Sequence, residues 1–283
     1  MIVLSSVLRH AFLPELLKTL KHMQQINFQL VVLVSNQLCK KIMKNAIQHL
    51  SVAIALSVAI ITSSCVTTYS GETVKEDRAL ANFSSIQLAI PADLYLSQGD
   101  TYSFTIEGDK DFLSEVITEV KGSSLVIKTE GWVNFGWRNL KVKVFVTMPE
   151  VNGLTVSGSG DIRAQTPIAT ENLSVRVSGS GDVNISNLTV RDLDVAVSGS
   201  GDVKLSGKGS AGDASVKVTG SGDVALHGIE FNNAEVSISG SGDAYLVATQ
   251  SLKARVVGSG DIVYSGNPLV DGKVSGSGRI RNK

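Results

Sequence analysis

The chain has 283 residues, 26 Lys+Arg against 26 Asp+Glu, and two Cys. The balanced charge argues against a nucleic-acid binder, and two cysteines are too few for a disulfide framework. With 43% hydrophobic and 5% aromatic residues, the chain has enough apolar content to bury a core built mainly from aliphatic side chains.

The N-terminal quarter reads as targeting sequence. Residues 50–61, LSVAIALSVAII, form an apolar run of twelve, short of the roughly 20 residues a spanning helix needs. The run fits the core of a secretory signal, with Lys44 before it and Ser63, Ser64 and Cys65 after it. A Cys in that place predicts lipoprotein processing, with Cys65 as the lipidated N-terminus. Thr62 departs from the pattern, which usually has an aliphatic residue there. Met43 would begin a conventional signal peptide, so residues 1–42 are expected to be a misassigned upstream extension, 43–64 the signal and 65–82 a polar tether. Without residues 1–64, 20 Lys+Arg face 25 Asp+Glu, a net charge of −5. Membrane attachment would then rest on acyl chains rather than on charge. Cys39 leaves with the extension, so the mature domain has no disulfide.

The domain proper is expected over 83–283. Ile86, Leu88 and Ile90 alternate as a strand, ended by Pro91. Leu94–Ser97 and Tyr102–Glu107 read as strands joined by the turn Gln98-Gly99-Asp100. Asp109 or Asp111 can cap a helix carrying Phe112, Leu113, Val116, Ile117 and Val120 at helical spacing. Leu125–Thr129 and Leu140–Met148 are further strands. Between them, a Gly-bounded loop holds Trp132, Phe135 and Trp137. Such aromatics either stack on sugar rings or fold back over the core, and packing is the favoured reading.

Regular repeats fill residues 154–283. Hexapeptides of the SGSGD type begin at Ser157, Ser178, Ser198, Thr219, Ser239 and Val257, and SGSGRI begins at Ser275. A period near 20 is the signature of a solenoid. Parity gives the local structure. Leu173, Val175, Val177, Gly179, Gly181, Val183 and Ile185 share one phase, and Ser and Asp share the other. Such alternation means extended chain with one face buried. Glycines on the inward phase mark corners where backbone approaches backbone. Each coil is therefore read as strand, Gly-Ser-Gly corner, strand, and a looser return such as Asn187–Asp192. The fold class is all-β: a parallel β-solenoid with coils of about 20 residues. Arg279, Arg281 and Lys283 in the last coil are expected to discourage end-to-end stacking.

FSSIQLAIPADLYLSQGD, YSFTIEGDKDFLSEVITEVKGSSLVI, KVKVFVTMPEVNGLTVSGSGDI and the repeated SGSGD occur in that order. Over about residues 83–265 the chain resembles the head GIN domain family of secreted and lipoprotein products of Gram-negative bacteria. That family is described as putative autotransporter adhesin heads. The resemblance implies a right-handed, single-stranded β-helix with no established catalytic activity, and it carries over no functional residues.

The strongest candidate site is the column Asp161, Asp182, Asp202, Asp223, Asp243 and Asp261. Stacked carboxylates repel, so they either recruit a cation such as calcium or accept hydrogen bonds from corner amides. The second reading is favoured, because calcium-binding solenoid repeats have a nine-residue period that this chain lacks. The flanking Ser columns offer either a flat binding surface or a solvated turn. Gly-Ser-Gly is no phosphate loop, since no Lys-Ser/Thr pair follows it. His227 is the mature chain's single His, and Cys65 its single Cys. A His-rich zinc site or a Cys-His pair is thus excluded. The reading is a non-enzymatic cell-envelope lipoprotein, held by a lipid anchor in the outer membrane and binding a glycan or a cell-surface protein through its Ser/Asp face or aromatic loop. A periplasm-facing structural or sensing scaffold and a polysaccharide-cleaving β-helix are the alternatives. No cofactor and no nucleic acid are expected, and neither the oligomeric state nor the membrane face is fixed.

Overall fold

The computed structural model describes residues 71–130 and 141–283. They form one β-solenoid of stacked, mainly parallel coils. Cys65 and the aromatic loop residues Trp132, Phe135 and Trp137 lie outside the described residues.

Five long strands and their short companions make the regular part. These are β8 (Gly153–Gly158), β9 (Asp161–Ala164), β10 (Ile168–Gly179), β11 (Val183–Gly199), β12 (Val203–Gly220), β13 (Val224–Gly240) and β14 (Ala244–Gly258). After them come β15 (Ile262–Ser265), β16 (Leu269–Gly276) and β17 (Ile280–Asn282). Each hexapeptide pairs in register with the next: Ser178 with Ser198, and Gly179 with Gly199. The inward phase is buried as expected, with Val175, Val195, Val203, Val218, Ile238 and Val256 in one continuous core.

The return is not loose. Val183–Gly199 runs unbroken through it, and Leu188, Thr189 and Val190 pair with Ile168, Ala169 and Thr170. Leu188 and Val190 are buried, which gives this segment its own side of the core. The burial phase slips by one between Val190 and Leu193, so Arg191 and Asp192 both lie toward solvent. That slip bends the chain without ending the strand.

Both corner glycines are required, for separate reasons. The first, Gly179, has φ +132°, and a Cβ there would overlap the Gly158 carbonyl oxygen of the coil before. The second, Gly181, is buried, and its Cβ would overlap the Gly160 carbonyl oxygen. This close approach is used. The Gly158 carbonyl accepts the amides of both Ser180 (2.8 Å) and Gly181 (3.1 Å), and the pattern recurs at each later corner.

The opening region departs from sequential stacking. β2 (Ser85–Leu88) and β3 (Asp93–Gln98) form a coil that pairs with β8 and β9 on one side. On its other side lie β6 (Ser124–Thr129) and β7 (Lys143–Met148), later in sequence but further out in the stack. Between these pairs the chain leaves to build a cap from β4 (Ser103–Asp109), helix α1 (Lys110–Glu115) and β5 (Val116–Lys121). β4 runs antiparallel on β7, and β5 antiparallel on β6, which closes the parallel ladder. Phe104, Ile106, Phe112 and Leu113 are buried beneath.

Two expectations are corrected here. Asp109 is the helix N-cap, its carboxylate accepting the amides of Asp111 (3.0 Å) and Phe112 (3.4 Å), but the helix stops at Glu115. Ile117 and Val120 belong to β5, because the open edge of β6 supplies hydrogen bonds that the β-branched segment takes up. Within the expected tether, Thr73–Asp77 is strand β1, antiparallel to β4. It covers an edge that β4 would otherwise leave open.

Candidate functional site

The aspartate column is a ladder of side chain to main chain. Asp161 Oδ1 accepts the amide of Asp182 at 2.9 Å, and Asp182 Oδ1 accepts that of Asp202 at 2.8 Å. Asp202 serves Asp223 (3.0 Å), Asp223 serves Asp243 (2.8 Å), and Asp243 serves Asp261 (2.7 Å). Asp261 ends the series on the amide of Arg279 at 2.9 Å. Each acceptor thus binds the equivalent corner one coil further on. A backbone dipole lies between successive carboxylates and offsets their repulsion.

Residues two positions on from the aspartates engage the second oxygens, since i and i+2 share a face. Asp161 Oδ2 meets Arg163 (2.8 Å), Asp202 Oδ2 meets Lys204 (3.1 Å), and Asp243 Oδ2 accepts the Tyr245 hydroxyl (3.1 Å). The hydrogen bond to Asp202 raises the Lys204 ammonium above the usual lysine range. Burial, followed by the Asp243 bond, pushes the Tyr245 phenol up. Asp93 stands in register with Asp161 and binds Arg163 at 2.6 Å, so the column begins one coil earlier than the hexapeptides announce. No group of three or more His, Cys, Asp or Glu among the described residues is arranged to hold a metal ion. The Ser positions Ser180, Ser200 and Ser221 stand exposed beside the ladder, as does His227 on its own strand.

A second column was not singled out from the sequence. Asn172, Asp192, Asp213, Asn233 and Ser251 stand in or beside the phase slip of successive coils, each six residues before its hexapeptide. Asp192 Oδ1 accepts the amide of Asp213 (3.1 Å), Asp213 Oδ1 accepts Asn233 Nδ2 (2.9 Å), and Asn233 Oδ1 accepts Ser251 Oγ (2.7 Å). The Asp213 amide, then Arg191, hold the Asp192 carboxyl below the usual aspartate range.

This column lines a groove of 1040 Å³ that runs from Glu150 and Asn152 across the five coils of β10 to β14. Leu173, Leu193, Ala214 and Ala234 give it an apolar floor. On the neighbouring strand positions, Ser174, Asp194, Ser215, Glu235 and Lys253 form the other wall. Arg176 pairs with Asp194 (2.8 Å), and Lys253 with Glu235 (2.7 Å). The groove therefore offers repeated carboxylate, amide and hydroxyl groups at the coil spacing of about 4.8 Å, above apolar surface. Small-molecule and polymer sites share this composition. The constant six-residue offset was the available signal; the mixed Asn, Asp and Ser identities hid it.

The model of one protein family, described as "Putative auto-transporter adhesin, head GIN domain", matches residues 82–268. The chain belongs to the head GIN domain family. Among solved structures, this head GIN domain is similar to a putative adhesin from Bacteroides fragilis, at 28% identity and a TM-score of 0.70. The match covers 76% of this chain and 98% of that one. A putative lipid binding protein and a putative adhesin, both from Parabacteroides distasonis, share the fold at 23% identity each, with TM-scores of 0.62 and 0.59 and the same coverage. No curated protein matches the chain. The head GIN domain match ends at Pro268, so β16 and β17 lie beyond it.

Proposed function

We propose that this head GIN domain is a non-enzymatic binding module of the cell envelope, anchored through a lipid on Cys65, that holds an extended polar ligand in the groove. The groove itself carries this reading. It runs across consecutive coils, and the same polar groups recur along it at a fixed step. A chain of repeating units, such as a glycan, matches that geometry better than a compact metabolite does. A cell-surface protein presenting an extended segment is the second source of the same chemistry. The non-enzymatic part is supported by the aspartate column, where one oxygen of every hexapeptide Asp is committed to a backbone amide. A carboxylate held in that way is poorly placed to exchange protons with a substrate.

Protease treatment of intact cells, with lysed cells as control, tests the location. Loss of the domain from intact cells supports an outward-facing adhesin, to be followed by a glycan array and whole-cell binding. Survival on intact cells with loss after lysis would overturn the adhesin reading and favour the periplasmic scaffold.

A further inference from the structure

The two ends of the solenoid are built differently. At the first end, β4, α1 and β5 cover the core and close the ladder with antiparallel strands. At the other end, β16 pairs only with β14 among the described strands, and β17 only with β15. Every residue of β16 is exposed. Val270 and Val274 are 42% and 41% exposed, although they sit directly on Leu252 and Val256, which are 1% and 0% exposed. They belong to the core columns, and no described segment covers them. Leu269 beside them is 83% exposed. An open strand edge with apolar side chains along it is a template for another strand.

Two of the three cations expected to guard this end are drawn away from β16. Arg279 and Arg281 both turn to Asp261, at 3.2 and 4.0 Å. What β16 itself carries is the sequence Val270-Asp271-Gly272-Lys273-Val274. It is symmetric in character about Gly272, with apolar residues outside and opposite charges inside. Two antiparallel copies related by a two-fold axis at Gly272 would set Val270 against the partner's Val274 and Asp271 against the partner's Lys273. Residues opposed in an antiparallel pair share a face. The valines would therefore meet on the core side and the charges on the solvent side. Because β17 follows β16 in each chain, antiparallel pairing sends the two Arg279–Arg281 segments to opposite ends of the contact, so the cations do not clash.

We propose that a second copy of this chain docks tail to tail through β16, forming a two-fold dimer in this register. The interface is isologous and closes on itself, so it does not propagate into fibres. It would present two grooves, one per copy, which multiplies the avidity of a surface binder.

The test uses the full chain in cells, carrying Cys39→Ser. Gly272→Cys places the two thiols across the axis, within the roughly 4.4–6.8 Å Cα separation that a disulfide accepts. Oxidation should give a dimer band on a non-reducing gel well above that of the parent chain and of Lys217→Cys in mid-solenoid. Adding Asp271→Lys should lower the yield about fivefold by opposing like charges in two symmetric pairs. Adding Asp271→Lys together with Lys273→Asp should restore it. Rescue by the double exchange separates pairing from misfolding. A Gly272→Cys yield no higher than that of Lys217→Cys, or equal yields from the single and double exchanges, would overturn the proposal.

Discussion

The Asp223 carboxylate oxygen Oδ1 accepts the backbone amide of Asp243 at 2.8 Å, one coil further along the solenoid. The bond ties side chain to main chain between units that are distant in sequence and adjacent in space. It therefore contributes to coupling between neighbouring coils, the term that makes a repeat protein cooperative.

Asp223→Ala removes that acceptor. Unfolding in denaturant should show a loss of about 1.5–3 kcal/mol, the range for a hydrogen bond to a charged group. Asp223→Asn keeps an acceptor and should lose less. Equal losses would mean that the negative charge, and not the bond to the amide, makes the column.

The corner glycines give a graded prediction. Gly158 and Gly179 share a positive φ, +124° and +132°, but only Gly179 has a backbone carbonyl beneath it. Gly158→Ala should cost about 1–3 kcal/mol from strain alone. Gly179→Ala should cost about 1–3 kcal/mol more, because a rigid neighbour must move. Thermal unfolding of the two variants side by side checks the order.

Calcium should leave the melting temperature unchanged. Oδ1 of each hexapeptide Asp already accepts an amide, and no three His, Cys, Asp or Glu among the described residues converge to supply the rest of a calcium shell. A calcium-dependent rise would restore the ion reading of Asp161, Asp182, Asp202, Asp223, Asp243 and Asp261.

Asp192 sets a pH dependence. Its folded-state value is depressed by the Asp213 amide and Arg191. The stabilisation is thus present above the ordinary aspartate value of about 3.9 and is lost as pH falls through the lower folded value. A carboxyl-carbon NMR titration should find its midpoint below that of an unstructured peptide, and Asp192→Asn should lessen the acid sensitivity of unfolding.

Much of the fold was legible because it is local and repeated. The alternation from Leu173 to Ile185 shows which face is buried, and the inward Gly179 and Gly181 show where backbones meet. The Asp column was visible by spacing, and its acceptor role followed from the cost of stacking bare carboxylates. Three features were not legible. Val116–Lys121 has helical spacing yet is a strand, because an edge 124–129 awaits it. The coil of β6 and β7 lies outside that of β2 and β3 through pairings that no local pattern encodes. The groove depends on a one-residue phase slip at Arg191–Asp192, which read as a loose return. Asn82, with φ +63°, is the single non-Gly residue of positive φ among the described residues and marks the entry to the first coil.

In this protein the hexapeptide column builds the solenoid, and we assign binding to the groove. Capture on a glycan array and on whole cells should be compared for the parent chain, Asn233→Arg in the groove, Ser200→Lys on the Ser column and the pair Trp132→Ala/Trp137→Ala, each with its melting temperature. Asn233→Arg should abolish capture with only a small fall in melting temperature, from the loss of its exposed bonds to Asp213 and Ser251, while the other variants retain capture. Full capture by Asn233→Arg, with loss in the Ser-column or aromatic-loop variants, would contradict that assignment.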